Sequence, residues 1–292
     1  MEDGPVHWFT ESALPYASPG VRVQVAYTAV RHDERTPYGH VQVLDTPFHG
    51  RVLVLDGIIQ TTERDEAIYH EMLVLPPALQ HGAPRDILIV GGGDGGALRR
   101  ALRLRSLRRV VQVEIDETVT RVCREHLPAI GGDAWDDPRV ELVFADGAAY
   151  VADGGPAFDV IVLDLPDPIP GGPAEPLFGA DFLAAAARRL APGGVLALQC
   201  GSLTVQPAEV ARTRAAAGRV FADTLLHHAV IPGYQLTSFG FLVAAAHPLR
   251  PAAAVAAGDW SNIDGVSEHL TPEVYAASTV LPPHLARRLA TA

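Results

Sequence analysis

The stretch Gly91-Gly92-Gly93-Asp94-Gly95-Gly96 constrains this chain more than any other. It follows the apolar run Ile87–Val90 and precedes Ala97–Arg105, whose pattern predicts a helix. A glycine-rich turn between a strand and a helix is the nucleotide-binding turn of a doubly wound α/β fold. The alternation continues beyond it. Val110–Ile115 reads as a strand, Glu117–His126 as a helix and Val140–Phe144 as a strand. Val160–Leu163 and Val195–Gln199 are further buried strands, with the Ala-rich helix Phe182–Leu190 between them. Thr237–Ala245 reads as a late strand and His247–Gly258 as a surface segment. Strands alternating with helices predict a mostly parallel sheet covered by helices on both faces.

Ahead of residue 63 the pattern is different. Short β-rich runs, Val21–Val30, Gly39–Leu44 and Arg51–Leu55, alternate with turn residues. Asp56-Gly57 is a hairpin signal and Ile58–Thr62 its return strand. Asp65–Leu79 has helical spacing, with Ile68, Met72 and Leu75 on one stripe and Pro76-Pro77 near its end. The chain of 292 residues is therefore expected to divide into an N-terminal β-sheet domain, 1–62, and a Rossmann-like domain, 63–292.

The glycine turn formally satisfies G-x-G-x-x-G, and Glu114 ends the next strand, so a dinucleotide is the first candidate ligand. Asp94 argues against it, because a pyrophosphate would sit against this turn. A like-charge contact at ~4 Å and an effective dielectric of ~20 costs about 4 kcal/mol. The same carboxylate attracts a sulfonium or an ammonium; its structural alternative is a cap on the following helix. Glu114-Ile115-Asp116 suits a nucleoside: a carboxylate for the ribose hydroxyls and an apolar side chain for the base. Asp146-Gly147 can accept a hydrogen bond from an adenine amino group. Asp164-Leu165-Pro166-Asp167-Pro168 ends another strand, with two carboxylates in a proline-stiffened loop suited to binding and deprotonating an amine. Acids at successive strand ends converge on one cleft, and that cleft suits a polycation.

Composition narrows the reading further. A formal net charge of −11 argues against nucleic acid or an anionic membrane as partner. All 23 basic residues are arginine, which removes P-loop phosphate chemistry and Schiff-base mechanisms. Cys123 and Cys200 are too few for a disulfide framework or a thiolate zinc site and read as buried free thiols. No apolar stretch reaches membrane-spanning length and Met1–Pro5 carries no apolar signal region, so a cytoplasmic location is expected.

The ordered motifs together resemble a known family. Trp8-Phe9-Thr10-Glu11, Leu55-Asp56-Gly57 through Gln60, Asp65-Glu66, Tyr69-His70-Glu71-Met72, Gly91–Gly96, Glu114-Ile115-Asp116, Asp146-Gly147, Asp164…Asp167-Pro168, Gly172–Phe178 and Gly240-Phe241 look like the polyamine aminopropyltransferases, the spermidine synthase family. The resemblance implies a doubly wound, mostly parallel Rossmann-like sheet of the class I methyltransferase type, with a small N-terminal antiparallel sheet. It implies attack by an amine on the aminopropyl carbon of decarboxylated S-adenosylmethionine, a co-substrate rather than a cofactor, with no metal. Carried over, Asp164 takes the proton of the attacking amine, and Asp94 and His70 hold the donor's ammonium. Glu114, Ile115, Asp146, Gly147 and Pro173 bind its nucleoside, with Gly91 and Gln60 also on the donor side. Tyr69, Asp167 and Tyr234 line the acceptor channel. A homodimer or homotetramer is implied as well.

The departures from the family pattern cluster. Tyr38-Gly39 stands for the usual Tyr-Gln, Arg99-Arg100 for Arg-Glu, Leu75 near a usual His, and Leu165-Pro166 for a pair of hydroxyl residues. Pro170-Gly171 is an insertion, and Gln235-Leu236-Thr237 replaces Pro-Ser-Gly. Most fall on the acceptor side, which leaves the amine open. The alternatives are an S-adenosylmethionine-dependent N-methyltransferase on the same fold, a non-catalytic role and, more distantly, a nicotinamide dehydrogenase.

Overall fold

A computed structural model describes residues 6–11, 22–168, 172, 174–234 and 237–291. Among them, the N-terminal strands form two antiparallel sheets. Strand β1 (His7–Thr10) pairs with β2 (Gln24–Tyr27). Strands β3 (Ala29–Arg35), β4 (His40–Thr46), β5 (Gly50–Leu55) and β6 (Ile58–Thr62) form a four-stranded meander. The run read as one strand over Val21–Val30 thus divides between two sheets, and the Thr28 N–H at the break donates to the Asp45 carbonyl at 2.9 Å. The β5–β6 hairpin forms as expected. Asp56 and Gly57 both have positive φ, 50° and 77°, the conformation that matches the twist of paired strands.

Helix α1 (Glu66–His81) carries Pro76 and Pro77 inside it rather than near its end. Proline at position 76 removes the N–H that would bond the carbonyl four residues back. The freed Met72 carbonyl is instead satisfied by His227 Nε2 at 2.8 Å. Burial pushes the His227 imidazole down to about 4, so the ring is neutral and donates from Nε2 at ordinary pH.

The large sheet comprises β7 (Asp86–Gly91), β8 (Arg109–Glu114), β9 (Val140–Phe144), β10 (Phe158–Asp164), β11 (Leu190–Ser202), β12 (Asp223–Ile231) and β13 (Thr237–Ala245). Their order is β12-β13-β11-β10-β7-β8-β9. The strands β7 to β11 run parallel, while β13 pairs antiparallel with both β11 and β12. Around it lie helices α2 (Gly96–Ala101), α3 (Glu117–His126), α4 (Gly147–Ala152), α5 (Ala180–Arg188), α6 (Pro207–Val220), α7 (Ala252–Ala256), α8 (Pro272–Ser278) and α9 (Pro283–Thr291). Strand side chains alternate between two cores. Ile87, Ile89, Val160 and Val162 join the layer of α1, α2, α3, α7 and α8. Leu88, Val90, Ile161 and Leu163 join that of α4, α5, α6 and α9. The α/β architecture with a mostly parallel sheet and a small N-terminal antiparallel sheet agrees with the sequence reading. No helix among the described residues is long and apolar enough to cross a membrane.

Three local readings differ. Helix α2 stops at Ala101 rather than Arg105, because the chain beyond it is captured by the C-terminal segment: Arg105 N–H donates to the Asn262 carbonyl at 2.8 Å. The stretch His247–Gly258 is not simply surface, since it contains α7, whose Ala252 and Val255 are buried. Helix α6 and strand β12 have no counterpart in the sequence reading. The buried face of α6 is Val210, Thr213, Ala216 and Ala217, a stripe too weakly apolar to announce a helix.

Candidate active site

The chain builds β7, β8 and β9 in one direction, then crosses to place β10 on the other side of β7. Ligands in open α/β sheets sit at such a reversal, beyond the carboxyl ends of the strands. Here Gly91 is in register with Asp164, and the Gly92 N–H donates to the Asp164 carbonyl at 2.9 Å. Gly91 has φ 85°, and a Cβ there would lie 2.1 Å from that carbonyl oxygen. Only glycine lets the two strand ends approach this closely. The turn is held from below as well: Gln112 Nε2 donates to the Gly91 carbonyl at 3.2 Å and to that of Gly92, while Trp135 Nε1 donates to Gln112 Oε1 at 3.1 Å.

A cavity of about 770 Å³ opens above these strand ends and is closed on its other side by β4–β6 of the N-terminal sheet. Contacts with α3 fix that sheet in place. Thr36 Oγ1 donates to Asp116 Oδ2 at 2.6 Å and Arg121 pairs with Glu34 at 2.7 Å. The volume suffices for a nucleoside together with an aliphatic chain.

On the wall formed by β7–β9, Gly91, Asp94, Glu114, Ile115, Asp146 and Gly147 all line the cavity. Asp94 Oδ1 accepts the Gly96 N–H at 2.8 Å, so the carboxylate braces the helix start while still facing the cavity. Burial would raise its pKa, but the His70 charge and the Gly96 N–H outweigh that and hold it below the usual range. Glu114 is pushed up to about 7 by burial, against the opposing N–H groups of Asp116 and Ile115. Ile115 is 39 % exposed, an uncovered apolar face that suits a flat ring. Asp146 caps α4, with Oδ1 accepting the Ala148 N–H at 2.7 Å. Gln60 lines the cavity from β6; its Nε2 donates to the Ile58 carbonyl at 3.2 Å, and its own carbonyl accepts the Tyr234 hydroxyl.

The opposite wall carries Asp164, Tyr69, Asp167 and Tyr234. Tyr69 Oη donates to Asp164 Oδ1 at 2.8 Å. Among the described residues Asp164 Oδ2 is buried with no hydrogen-bond partner. Burial, only partly offset by the His70 charge, pushes the Asp164 carboxyl up to about 6. One anchored oxygen, one unsatisfied oxygen and a proton affinity near neutrality are the properties a general base requires. Asp167 is gripped by Gln206 Nε2 at 3.0 Å and Gln199 Nε2 at 3.2 Å, and burial raises its pKa. The rings of Tyr69, Tyr234 and Phe239 pack edge-on or tilted against one another on this wall.

One reading is corrected by this geometry. His70 is 1 % exposed and stands behind Asp94, not at the cavity wall. Its Nδ1 lies 2.9 Å from Glu66 Oε2 and its Nε2 3.4 Å from Asp94 Oδ1. Burial lowers the imidazole pKa, yet the two carboxylates outweigh it and hold it well above 6.5. An imidazolium cannot itself hold an ammonium. Pro173, like Pro170-Gly171 and Gln235-Leu236, lies outside the described residues.

Residues 66–253 match the spermine/spermidine synthase domain, and residues 7–63 match the spermidine synthase tetramerisation domain. The chain belongs to the spermine/spermidine synthase family. The similarity extends to polyamine aminopropyltransferase 1 of Pseudomonas aeruginosa, 47 % identical over 203 residues, 70 % of each chain. The polyamine aminopropyltransferase of Pectobacterium carotovorum is 38 % identical over 265 residues, 90 % of this chain and 92 % of that one. Among solved structures, a spermidine synthase in complex with the transition-state analogue AdoDATO superposes with a TM-score of 0.88 at 28 % identity, covering 98 % of this chain and 96 % of that one. The spermidine synthase of Thermotoga maritima gives 0.84 at 27 % identity, with coverage of 97 % and 94 %.

In this spermine/spermidine synthase family member, the ligand-type atoms of His70, Asp94 and Asp164 lie within 4.8 Å of one another. Metal ligation needs a deprotonated imidazole, whereas His70 is held protonated between two carboxylates. The raised imidazole pKa opposes metal ligation at this trio. Gln112 beneath the glycine turn and Gln206 beside Asp167 carry no sequence signal of their own, and Arg100 behind Glu66 is marked only as a departure from the family pattern. Gln199 had one available, since it falls at the carboxyl end of a strand read from the sequence.

Proposed function

We propose that the protein transfers the aminopropyl group of decarboxylated S-adenosylmethionine to a diamine or polyamine, releasing methylthioadenosine. One observation carries the proposal: Asp94 and Asp164 share a cavity, the first held charged and the second able to take up a proton near neutral pH. The names of the relatives, and the analogue in the matched crystal structure, support the choice of donor.

In this reading Asp94 pairs with the donor's ammonium, with His70 behind it. Glu114 takes the ribose hydroxyls, Ile115 packs on adenine, and Asp146-Gly147 meets the adenine edge, with Pro173 expected alongside. Gly91 leaves room at the turn, and Gln60 flanks the donor. Tyr69, Asp167 and Tyr234 guide the acceptor. The attacking amine has to be neutral. Its lone pair forms the new C–N bond as the C–S bond breaks, and the electron pair of that bond stays on sulfur as a neutral thioether. Positive charge thereby moves from sulfur to nitrogen, and Asp164 Oδ2 takes the proton released there. The step needs no metal or cofactor.

The methyltransferase alternative is not favoured. The relatives are named as aminopropyltransferases, and Asp94 would repel the carboxylate of intact S-adenosylmethionine. The tetramerisation-domain match supports a homodimer or homotetramer; that assembly, the division at residues 62 and 63, and a cytoplasmic location complete the proposal. Incubating the protein with decarboxylated S-adenosylmethionine and a panel of amines, then identifying products by mass spectrometry, tests it. Methylthioadenosine and an aminopropylated amine are expected. Methylated amine formed from intact S-adenosylmethionine alone would reverse the conclusion.

A further inference from the structure

Behind Asp94 the charges alternate in a line that leads away from the cavity. Beyond His70, Glu66 Oε1 lies 2.8 Å from Arg100 Nη2, which lies 3.2 Å from Glu268 Oε1. Arg100 is 2 % exposed, and aminopropyl transfer as derived above gives it no task. A buried ion pair is often no more stabilising than apolar side chains of similar volume, so stability alone does not account for a guanidinium here. The geometry points to Arg100 as a positioning residue for the aminopropyl donor, acting through Glu66 and His70 on the carboxylate of Asp94.

Glu66 offers one oxygen to each cation. With Arg100 on Oε1, Oε2 stays aligned on His70 Nδ1, and Nε2 is left pointing at Asp94. The surroundings make this line stiff. A Cβ on Gly96 would fall 2.1 Å from His70 Cε1, so the ring is packed directly on the backbone of α2. At the far end, Glu71 accepts the N–H groups of Glu268, His269 and Leu270 at 2.8–3.0 Å and pairs with Arg103 at 3.0 Å. Without Arg100, the nearest other arginine to Glu66 is Arg99 at 3.9 Å. The imidazolium is then drawn toward Glu66, and its longer contact with Asp94 is the one that yields.

The inference rests on the proposed donor, so calorimetry of decarboxylated S-adenosylmethionine with the wild-type protein comes first; absence of binding there overturns the functional reading and leaves the spectroscopic measurement below to decide this one. R100M is expected to raise the donor KM about tenfold, the low end of the value of a charged hydrogen bond, with the acceptor KM unchanged. R100K, which keeps the charge, recovers most of the loss. In a D94N background R100M adds nothing further. Should R100M fail to fold, R100Q, which keeps a polar side chain beside Glu66 but not the charge, carries the same expectation. A donor KM within about twofold of wild type, the usual additivity error, overturns the assignment. So does an equal rise in both KM values, or full additivity with D94N. Imidazole ¹⁵N spectra, assigned by difference with H70N, give a readout independent of turnover. The His70 Nε2 resonance shifts in the arginine variant; an unchanged resonance overturns the coupling.

Discussion

Asp164 combines an anchored oxygen, an unsatisfied one and a raised proton affinity, and each has a measurable consequence. Asp164→Asn keeps the shape and the Tyr69 contact but cannot take a proton. Turnover should fall about 10²–10⁴-fold, the usual worth of a general base, while donor affinity by calorimetry is retained. Its carboxyl is pushed up to about 6 by burial and acts deprotonated, so kcat/KM should rise with pH through a limb near that value and level off above it. A flat profile between pH 5 and 7 would remove Asp164 from the role. A second expectation concerns Leu165, which is buried in the wall between the two acceptor-side acids. An apolar wall favours methylenes at about 0.8 kcal/mol for each one buried. Specificity constants should therefore be higher for a longer diamine, agmatine or a triamine than for putrescine; a maximum at putrescine would show that Leu165-Pro166 only repacks the loop. Asp94, Glu114, Asp146 and Asp164 are legible in the sequence because each closes a strand-like run, where ligands bind. Gln206 and Arg100 are not, because they act on Asp167 and Glu66, 39 and 34 residues away, and no local pattern announces such a partner.

At the scale of elements, α1 is the frame for Tyr69 and is interrupted in its hydrogen bonding, since Pro76 deprives the Met72 carbonyl of its usual donor. His227 supplies the substitute across from β12. Replacing His227 by Ala leaves that carbonyl unsatisfied beside a cavity, and about 2–4 kcal/mol of stability should be lost in denaturant titrations. In a Pro76→Ala background the loss should be smaller, because the helix regains its own N–H; an equal loss would show that the hydrogen bond is immaterial. The histidine also sets a pH dependence. Its folded pKa, lowered by burial to about 4, lies below the unfolded value of about 6.5. Between these values the unfolded chain binds the extra proton, so stability falls as pH drops through this window, by roughly 3 kcal/mol in total. A His227→Gln variant should lack that slope. The hairpin at Asp56-Gly57 and the parallel strands are legible from turn chemistry and apolar runs. The course of α1 through two prolines is not, because the donor that permits it lies 155 residues further along the chain.

For the whole molecule, the matched tetramerisation domain, residues 7–63, supports association through the N-terminal sheets. Trp8 on β1 is 62 % exposed, and Val30 and Phe48, also in the N-terminal region, are exposed as well. Light scattering should report an oligomer, and Trp8→Glu should lower its mass while leaving donor binding within about twofold, since a charge at an apolar interface centre disfavours association without touching the cavity. An unchanged mass would move the interface elsewhere. The two walls of the cavity are also built differently. Glu114 ends β8, and Asp94 and Asp146 lie in the tight turns leading from β7 and β9 into their helices. On the other wall Asp164 ends β10 and Tyr69 sits on α1, but Leu165, Asp167 and Tyr234 lie in the connections after β10 and β12. Tight turns closed onto the sheet tolerate less change than connecting segments, which accept substitution and insertion more readily. A lineage built this way can exchange its nucleophile by drift in two loops while inheriting its electrophile unaltered, so the descent of such proteins should be conservative on one wall and inventive on the other.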